Sequence, residues 1–530
     1  MLQTLRASRG MATAPHHLAS QSALSVLQDG GNAVEATVAA AATIAVAYPH
    51  MNSLGGDGFW LIAEPGEDPV AIDASGGAAA AATPAFYAAN GFAAIPTRGP
   101  MAALTVAGTV SGWRAALEYA GRWADGRLPL ERLLVDAIVY AREGVPVTAS
   151  QRRFTEAKRA ELEPQPGFAE VYLPQDEVPQ TGALFRQKKL GDTLQWLAEY
   201  GLDDFYRGEL AEATAADLEA AGSPLTRDDL AGQHARLVEP LRLRTRDGTL
   251  YNMPPPTQGV ASLTILGLFD RLAADGEGFA HVHGLVEATK QAFLVRDAEL
   301  ADPESMRVEA QDLLTDAALD RLAGAIDPGR ALAWPPQALA AGDTVWLGVI
   351  DRAGRAVSFI QSIFWEFGSG VVLPQSGLVW QNRGAAFRLD DGAVNRLAPG
   401  RRPFHTLNPA LARLADGRQM VYGAMGGEGQ PQTQAAVFTR YARFGQGLQQ
   451  AVTAPRWLLG RTWGAETTTL KLEDRFDDAL VADLQRAGHR VETVAPYDDL
   501  MGHAGALVRL PWGVIEGAAD PRSDGAVAGF

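Results

Sequence analysis

Apolar positions in the first fifty residues recur at helical spacing and stop at glycines. Residues 20–28 (SQSALSVLQ) carry one apolar face and end before Gly30-Gly31, a glycine stop expected at a helix C-terminus. Asn32 then opens an alanine-rich run to Tyr48, apolar on every side with Glu35 at its entrance. That pattern predicts a buried helix, too short to span a bilayer. The period then changes: residues 59–63 (FWLIA) and 70–73 (VAID) read as two strands around the turn EPGED. Residues from about 110 to 240 read mostly as helix, with Thr226 ahead of Arg227-Asp228-Asp229 as an N-cap.

Residues 241–251 read as strand, turn at Asp247-Gly248, strand. Pro254, Pro255 and Pro256 together allow only a rigid loop. Helices are expected at 263–273 and 282–297. Residues 327–343 (DPGRALAWPPQALAAGD) hold three prolines and little periodicity, which predicts an exposed loop and the clearest interruption in the chain. Directly after it comes TVWLGVID, a turn at Arg352-Ala353-Gly354, and AVSFIQSIF, a β-hairpin pattern. Further strands are expected at 377–381, 410–414, 420–422 and 504–510. The class is α+β, with layered sheets and helices.

Charge and composition narrow the chemistry. A net charge of −16 argues against a nucleic-acid partner, which would call for clustered cations. No cysteine is present, so thiolate metal sites, disulfides and a cysteine nucleophile are excluded together. The first twenty residues lack an apolar signal core, and a cytoplasmic protein without membrane segments is the expectation. No phosphate-binding loop, dinucleotide fingerprint, HExxH or GxSxG occurs. His281, His283 and Glu287 have a spacing that suggests a metal, but they read better as the start of an ordinary helix. No metal or cofactor is expected.

Thr344 alone is only a β-former opening a strand. Its position raises it: a Pro-rich loop supplies an accessible peptide bond, and the strand holds whatever terminus a cut there would create. The surrounding segments PHMNSLGGDGFW, NMPPPTQGV, EATKQAFLVRDAELADP, GDTVWLGVID, MGGEGQPQTQ and GAADPRSDG occur in the order of a known family. Over nearly its whole length the chain resembles the γ-glutamyltransferase family of N-terminal-nucleophile hydrolases. The resemblance implies a four-layer αββα sandwich made as a proenzyme. It would be cut between Asp343 and Thr344 into a large chain, 1–343, and a small chain, 344–530, interwoven as one domain. It also implies that Thr344 is the nucleophile, with its new α-amine as general base. By the same resemblance Ser362 is a supporting hydroxyl, and Gly426 and Gly427 form the oxyanion hole. A homodimer of such two-chain units is a further expectation.

Several positions depart from the family. Where the resemblance expects an arginine for the glutamyl carboxylate, the chain has Pro84; expected ammonium contacts are replaced by Phe364, Arg383 and Ala386. His405 and Thr406 stand where paired serines are expected. A pocket that exchanges acceptors for Arg383 and His405 favours an anion over an ammonium. The residues therefore predict an amidohydrolase for a small anionic amide, as in the family's oxamate amidohydrolase branch, with Arg383, His405, Thr406 and Phe364 binding the substrate. The alternatives are a γ-glutamyltransferase or glutathione hydrolase, and a cephalosporin-acylase-like enzyme with Phe364 and Trp365 on an apolar leaving group. An unprocessed binding protein is the non-enzyme alternative.

Overall fold

A computed structural model describes residues 3–334, 343–460 and 468–530. Two seven-stranded antiparallel sheets form its centre. One runs in the order Leu5–Ala7, Ile515–Ala519, Ala504–Arg509, Gln419–Ala424, Ala410–Leu414, Gly248–Asn252, Leu241–Thr245. The other runs Ala526–Gly529, Met11–Ala14, Asp343–Ile350, Ala356–Phe364, Asp57–Ala63, Val70–Ala74, Arg236–Val238.

Strand alternation sorts the side chains into three cores. Along Asp343–Ile350, Val345, Leu347 and Val349 join a core shared with helices His17–Gln28 and Ala33–Ala47. Trp346 and Ile350 face the other way, into a core between the sheets with Val421, Leu411 and Leu507. Met420, Tyr422 and Ala424 complete a third core with helices Gly259–Arg271, Phe279–Glu299 and Gly429–Phe438. Helix, sheet, sheet, helix is the layering that results.

Local chemistry sets the element ends. Asn32 accepts from the backbone N–H groups of Val34 and Glu35, and Glu35 accepts in return from that of Asn32. Every residue of the alanine-rich helix after this cap is buried. Thr226 makes the same reciprocal cap with Asp229. Trp346 requires small neighbours on the facing sheet: a Cβ at Gly423 would lie 2.2 Å from its ring and one at Gly505 2.5 Å.

One expected strand is absent. Residues 377–381 make only isolated bridges, Val379 to Val372 and Trp380 to Gly55. Their backbone groups go instead to loop partners, such as Trp380 N–H to the Val371 carbonyl and Gln381 N–H to that of Gly55. Of the Pro-rich stretch 327–343, residues 335–342 lie outside the described residues; 327–334 have no regular structure and are mostly exposed. Among the described residues no helix is long and apolar enough to cross a membrane.

Candidate active site

Thr344 is the second residue of its strand and is 1% exposed. The ladder to Ala356–Phe364 is regular from Val345 onward but shifts between Asp343 and Val345, so two residues, Ser362 and Ile363, oppose Thr344 alone. Such a bulge re-aims a side chain at a strand end. The Thr344 hydroxyl accepts from Gln430 Nε2 at 3.4 Å. Ser362 Oγ accepts from the Phe364 N–H at 2.8 Å and so helps turn the chain there. Phe364 itself sits at φ +82, a strained conformation for an aromatic residue.

Gly426 and Gly427 form the turn between strand Gln419–Ala424 and helix Gly429–Phe438. Their φ values, +118 and +53, are positive, and the first is open only to glycine. Neither N–H donates a hydrogen bond among the described residues. Two donors left open at a helix N-terminus suit a developing negative charge. Gln258 fixes this turn: its amide donates to the carbonyls of Gly427 at 2.9 Å and Thr406 at 2.6 Å, and its oxygen accepts from Arg296. Arg296 in turn holds Glu428 at 2.9 Å.

Beyond Phe364 lies a cavity of about 250 Å³, lined among others by Phe364, Arg383, Ala386, Phe404 and Thr406. Arg383 is 1% exposed, and none of its three guanidinium nitrogens has a hydrogen-bond partner among the described residues. It packs over the Phe364 ring at 3.9 Å. Burial pulls its pKa down to about 9, opposed by the charge of Asp57, which leaves it cationic at neutral pH. The ion pair that would explain Arg383 as purely structural is not formed among the described residues.

His405 lies behind the cavity wall, fully buried with both ring nitrogens unbonded. Its pKa is held well below the usual imidazole value, first by burial and then by Arg383 and Arg402, so the ring is neutral. Its backbone is anchored to the proline loop, donating to the Pro256 carbonyl and accepting from the Gln258 N–H. The Thr406 hydroxyl is buried and unbonded. Pro84 begins the helix Pro84–Ala89 and does not line the cavity; Ala93 and Ala94 do.

Sequence reasoning passed over Asp57, Gln258 and Gln430. Asp57 stands inside GGDG, which reads as a turn, yet it opens strand Asp57–Ala63 and pairs with Ser362. Its Oδ1 accepts from the N–H groups of Gly76 and Gly108, each at 3.0 Å. Its Oδ2 has no hydrogen bond and lies 3.5 Å from His405 Nε2. Burial pushes this carboxyl up to about 7, against the lowering effect of Arg383 and its backbone donors. Across three neighbouring strands the order is thus Thr344, Ser362, Asp57.

The histidines discounted as metal ligands have a different arrangement from their sequence spacing. His283 and Glu287 meet His489, not His281, with ligand atoms within 4.8 Å of one another. His283 Nδ1 and His489 Nε2 share a hydrogen bond at 2.9 Å, and Lys290 Nζ lies 2.6 Å from Glu287 Oε1. An ammonium therefore stands where the carboxylate would meet a metal. The same group holds the first part of the Pro-rich stretch, through the Asp327 and Leu332 carbonyls and the Leu332 N–H.

A family model described as Gamma-glutamyltranspeptidase matches residues 19–530. An oxamate amidohydrolase proenzyme of Klebsiella pneumoniae is 58% identical over 524 residues, covering 99% of both chains. A glutathione hydrolase-like proenzyme of Bacillus subtilis is 41% identical over 536 residues, covering 100% of both. Among solved structures, a cephalosporin acylase from Bacillus halodurans superposes with a TM-score of 0.91 at 32% identity, covering 100% of this chain and 97% of the other.

Proposed function

From the premise that the chain belongs to the gamma-glutamyltranspeptidase family, as an amide-hydrolysing enzyme made as a proenzyme, we propose that it cuts itself before Thr344 and hydrolyses a small anionic amide, oxamate or a close relative. The observation that carries this reading is Arg383: a buried cation whose guanidinium has no hydrogen-bond partner among the described residues, lining a small cavity just past the bulge that opposes Thr344. A substrate carboxylate supplies what the guanidinium lacks. The 58% identity to an oxamate amidohydrolase proenzyme supports the same choice.

Maturation starts when the Thr344 hydroxyl attacks the Asp343 carbonyl carbon. The acyl group shifts from nitrogen to oxygen, and water hydrolyses the ester, leaving a free carboxyl on residue 343 and a free amine on 344. In turnover the substrate carboxylate lies on Arg383, with the Thr406 hydroxyl as a second donor. The Thr344 hydroxyl adds to the amide carbon and passes its proton to the α-amine. Negative charge on the carbonyl oxygen is met by the N–H groups of Gly426 and Gly427. The amine returns the proton to nitrogen, ammonia leaves, and water hydrolyses the acyl-threonine ester to oxalate. Gln430 donates to the hydroxyl from the first turn of the helix that follows these glycines.

The test has two readouts. An intact-mass spectrum of the purified protein is expected to give two chains meeting between 343 and 344, and a single chain for Thr344→Ala. The mature enzyme is expected to release ammonia from oxamate and no aniline from a γ-glutamyl anilide. The reverse substrate pattern refutes the anion reading, and cleavage of the alanine variant at the same bond refutes the nucleophile.

A further inference from the structure

The unused oxygen of Asp57 bears on how the proposed anion pocket handles charge, and its role depends on that reading of the pocket. Asp57 is fully buried, as are Arg383 and His405. Its Oδ1 is committed to two backbone N–H groups, while Oδ2 has no hydrogen bond among the described residues and lies 3.5 Å from His405 Nε2, with the Gln381 side chain near enough to lower the carboxyl's pKa. Other charged or titratable groups face the site from every side. Arg402 comes from the strand-free segment before His405, but it is tied to Asp73 and to Asp302. The Tyr206 phenol is neutral, its pKa raised by burial, and its hydroxyl bonds to Ala107 and Ser111. Among the described residues Arg383 is therefore the cation left to balance Asp57.

The positive charge of Arg383 offsets the negative charge of ionised Asp57 within one buried region. An incoming carboxylate claims the guanidinium and brings a second negative charge into the same desolvated region. Asp57 then has no counter-charge, and a buried unpaired carboxylate is costly enough to protonate instead. The neutral imidazole at 3.5 Å can accept that proton's hydrogen bond at Nε2, with its own hydrogen on Nδ1. We infer that Asp57 is the proton partner of the anion pocket, taking up a proton at Oδ2 as the substrate carboxylate settles on Arg383. Asp57 does not line the cavity; it is a positioning residue that acts through Arg383 and His405.

Burial already lifts the Asp57 carboxyl to about 7. A bound anion raises it further, so uptake occurs above that midpoint. Affinity for the anion then falls with rising pH, by up to about tenfold per unit. Asp57→Asn keeps an oxygen for Gly76 and Gly108 and removes the charge, so its binding is expected to be independent of pH in this range.

The experiment is calorimetric titration of the mature enzyme with oxalate at about pH 7.5 in two buffers of different ionisation enthalpy. The wild type is expected to take up most of one proton per oxalate bound, and Asp57→Asn to bind with none. Equal uptake by both proteins overturns the proposal, as does a folded Asp57→Asn enzyme that no longer binds. If that variant fails to fold, the wild-type KM for oxamate between about pH 6 and about pH 8.5 decides. A KM that rises above neutrality supports the coupling, and a flat one overturns it. Oxalate binding with proton uptake but without oxamate hydrolysis refutes the proposed substrate and leaves the coupling standing; no oxalate binding refutes both.

Discussion

Replacing Arg383 with methionine separates what the guanidinium does for the fold from what it does for the substrate. Arg383 makes no hydrogen bond among the described residues; besides the attraction of the Asp57 charge, it packs over the Phe364 face at 3.9 Å. Losing a desolvated cation–π contact costs about 2 kcal/mol. Relieving a buried charge of its desolvation is worth about 1–4 kcal/mol when an apolar chain of similar volume replaces it. Asp57 loses its cation as well, but its carboxyl already titrates near 7 and can shed the charge by protonation. The terms leave stability between about 1 kcal/mol lower and about 2 kcal/mol higher. For a chain of this length that is roughly 1–2 °C in Tm. Binding shows the opposite. Removing the cation from a buried carboxylate contact costs about 2–5 kcal/mol, which corresponds to a KM for oxamate raised by about 30-fold to about 4,000-fold. Ammonia release gives KM, scanning calorimetry gives Tm, and intact mass confirms that the variant is still processed. A KM within about threefold of wild type refutes the role of Arg383. A Tm lowered by many degrees would show that the guanidinium is a structural brace instead.

Two further tests address the turn and the buried imidazoles. Gly426→Ala has room for its methyl, with the nearest atom at 3.4 Å, but φ +118 does not suit alanine. The peptide must rotate, and kcat is expected to fall by about 10²–10³-fold with little change in KM; an unchanged kcat removes this turn from the mechanism. Acid stability is set by neutral buried histidines. The pKa values of His50 and His405 lie well below 6.5, with His503 at about 4 and His281 at about 3, in each case first through burial. Between those values and 6.5 the unfolded chain binds more protons than the folded one. Their stabilisation is thus complete above pH 6.5 and is lost as pH falls through the folded values. Four such groups together give a slope on the order of 5 kcal/mol per pH unit. Urea midpoints that agree at about pH 7 and about pH 5 would contradict this.

What the sequence disclosed was local. Caps at Asn32 and Thr226 are short-range chemistry, and both are present. The hairpin after the Pro-rich loop was legible because Val345, Leu347 and Val349 alternate against Trp346 and Ile350. Met11–Ala14 and Ala526–Gly529 were not legible: they are four-residue strands of small or mixed side chains whose pairing joins opposite ends of the chain. The segment 377–381 misled in the other direction, since its apolar residues are buried by a loop and not by a ladder. Arg383 was suspected from its type, but its isolation could be seen only once every neighbour was placed. Asp57 gave no signal, because a carboxylate between glycines is an ordinary turn residue until strand pairing sets it beside Ser362.

The placement of Thr344 also explains how one peptide bond could be cut without dismantling the molecule. The bond between 343 and 344 lies at the mouth of a strand, and the ladder pairs from Val345 to Ile350 are all on one side of it. Each sheet mixes strands from before and after that bond. One holds Leu5–Ala7, Leu241–Thr245 and Gly248–Asn252 among four later strands. The other sets Met11–Ala14 directly between Ala526–Gly529 and Asp343–Ile350. Separating the two products would mean breaking both sheets and opening all three cores, whereas hydrolysis of the bond itself removes no pairing beyond the bulge. A cut at that bond would leave the ladder pairs from Val345 to Ile350 in place. A nucleophile at that position, as proposed for Thr344, would gain an α-amine while keeping the strand partners that set its geometry.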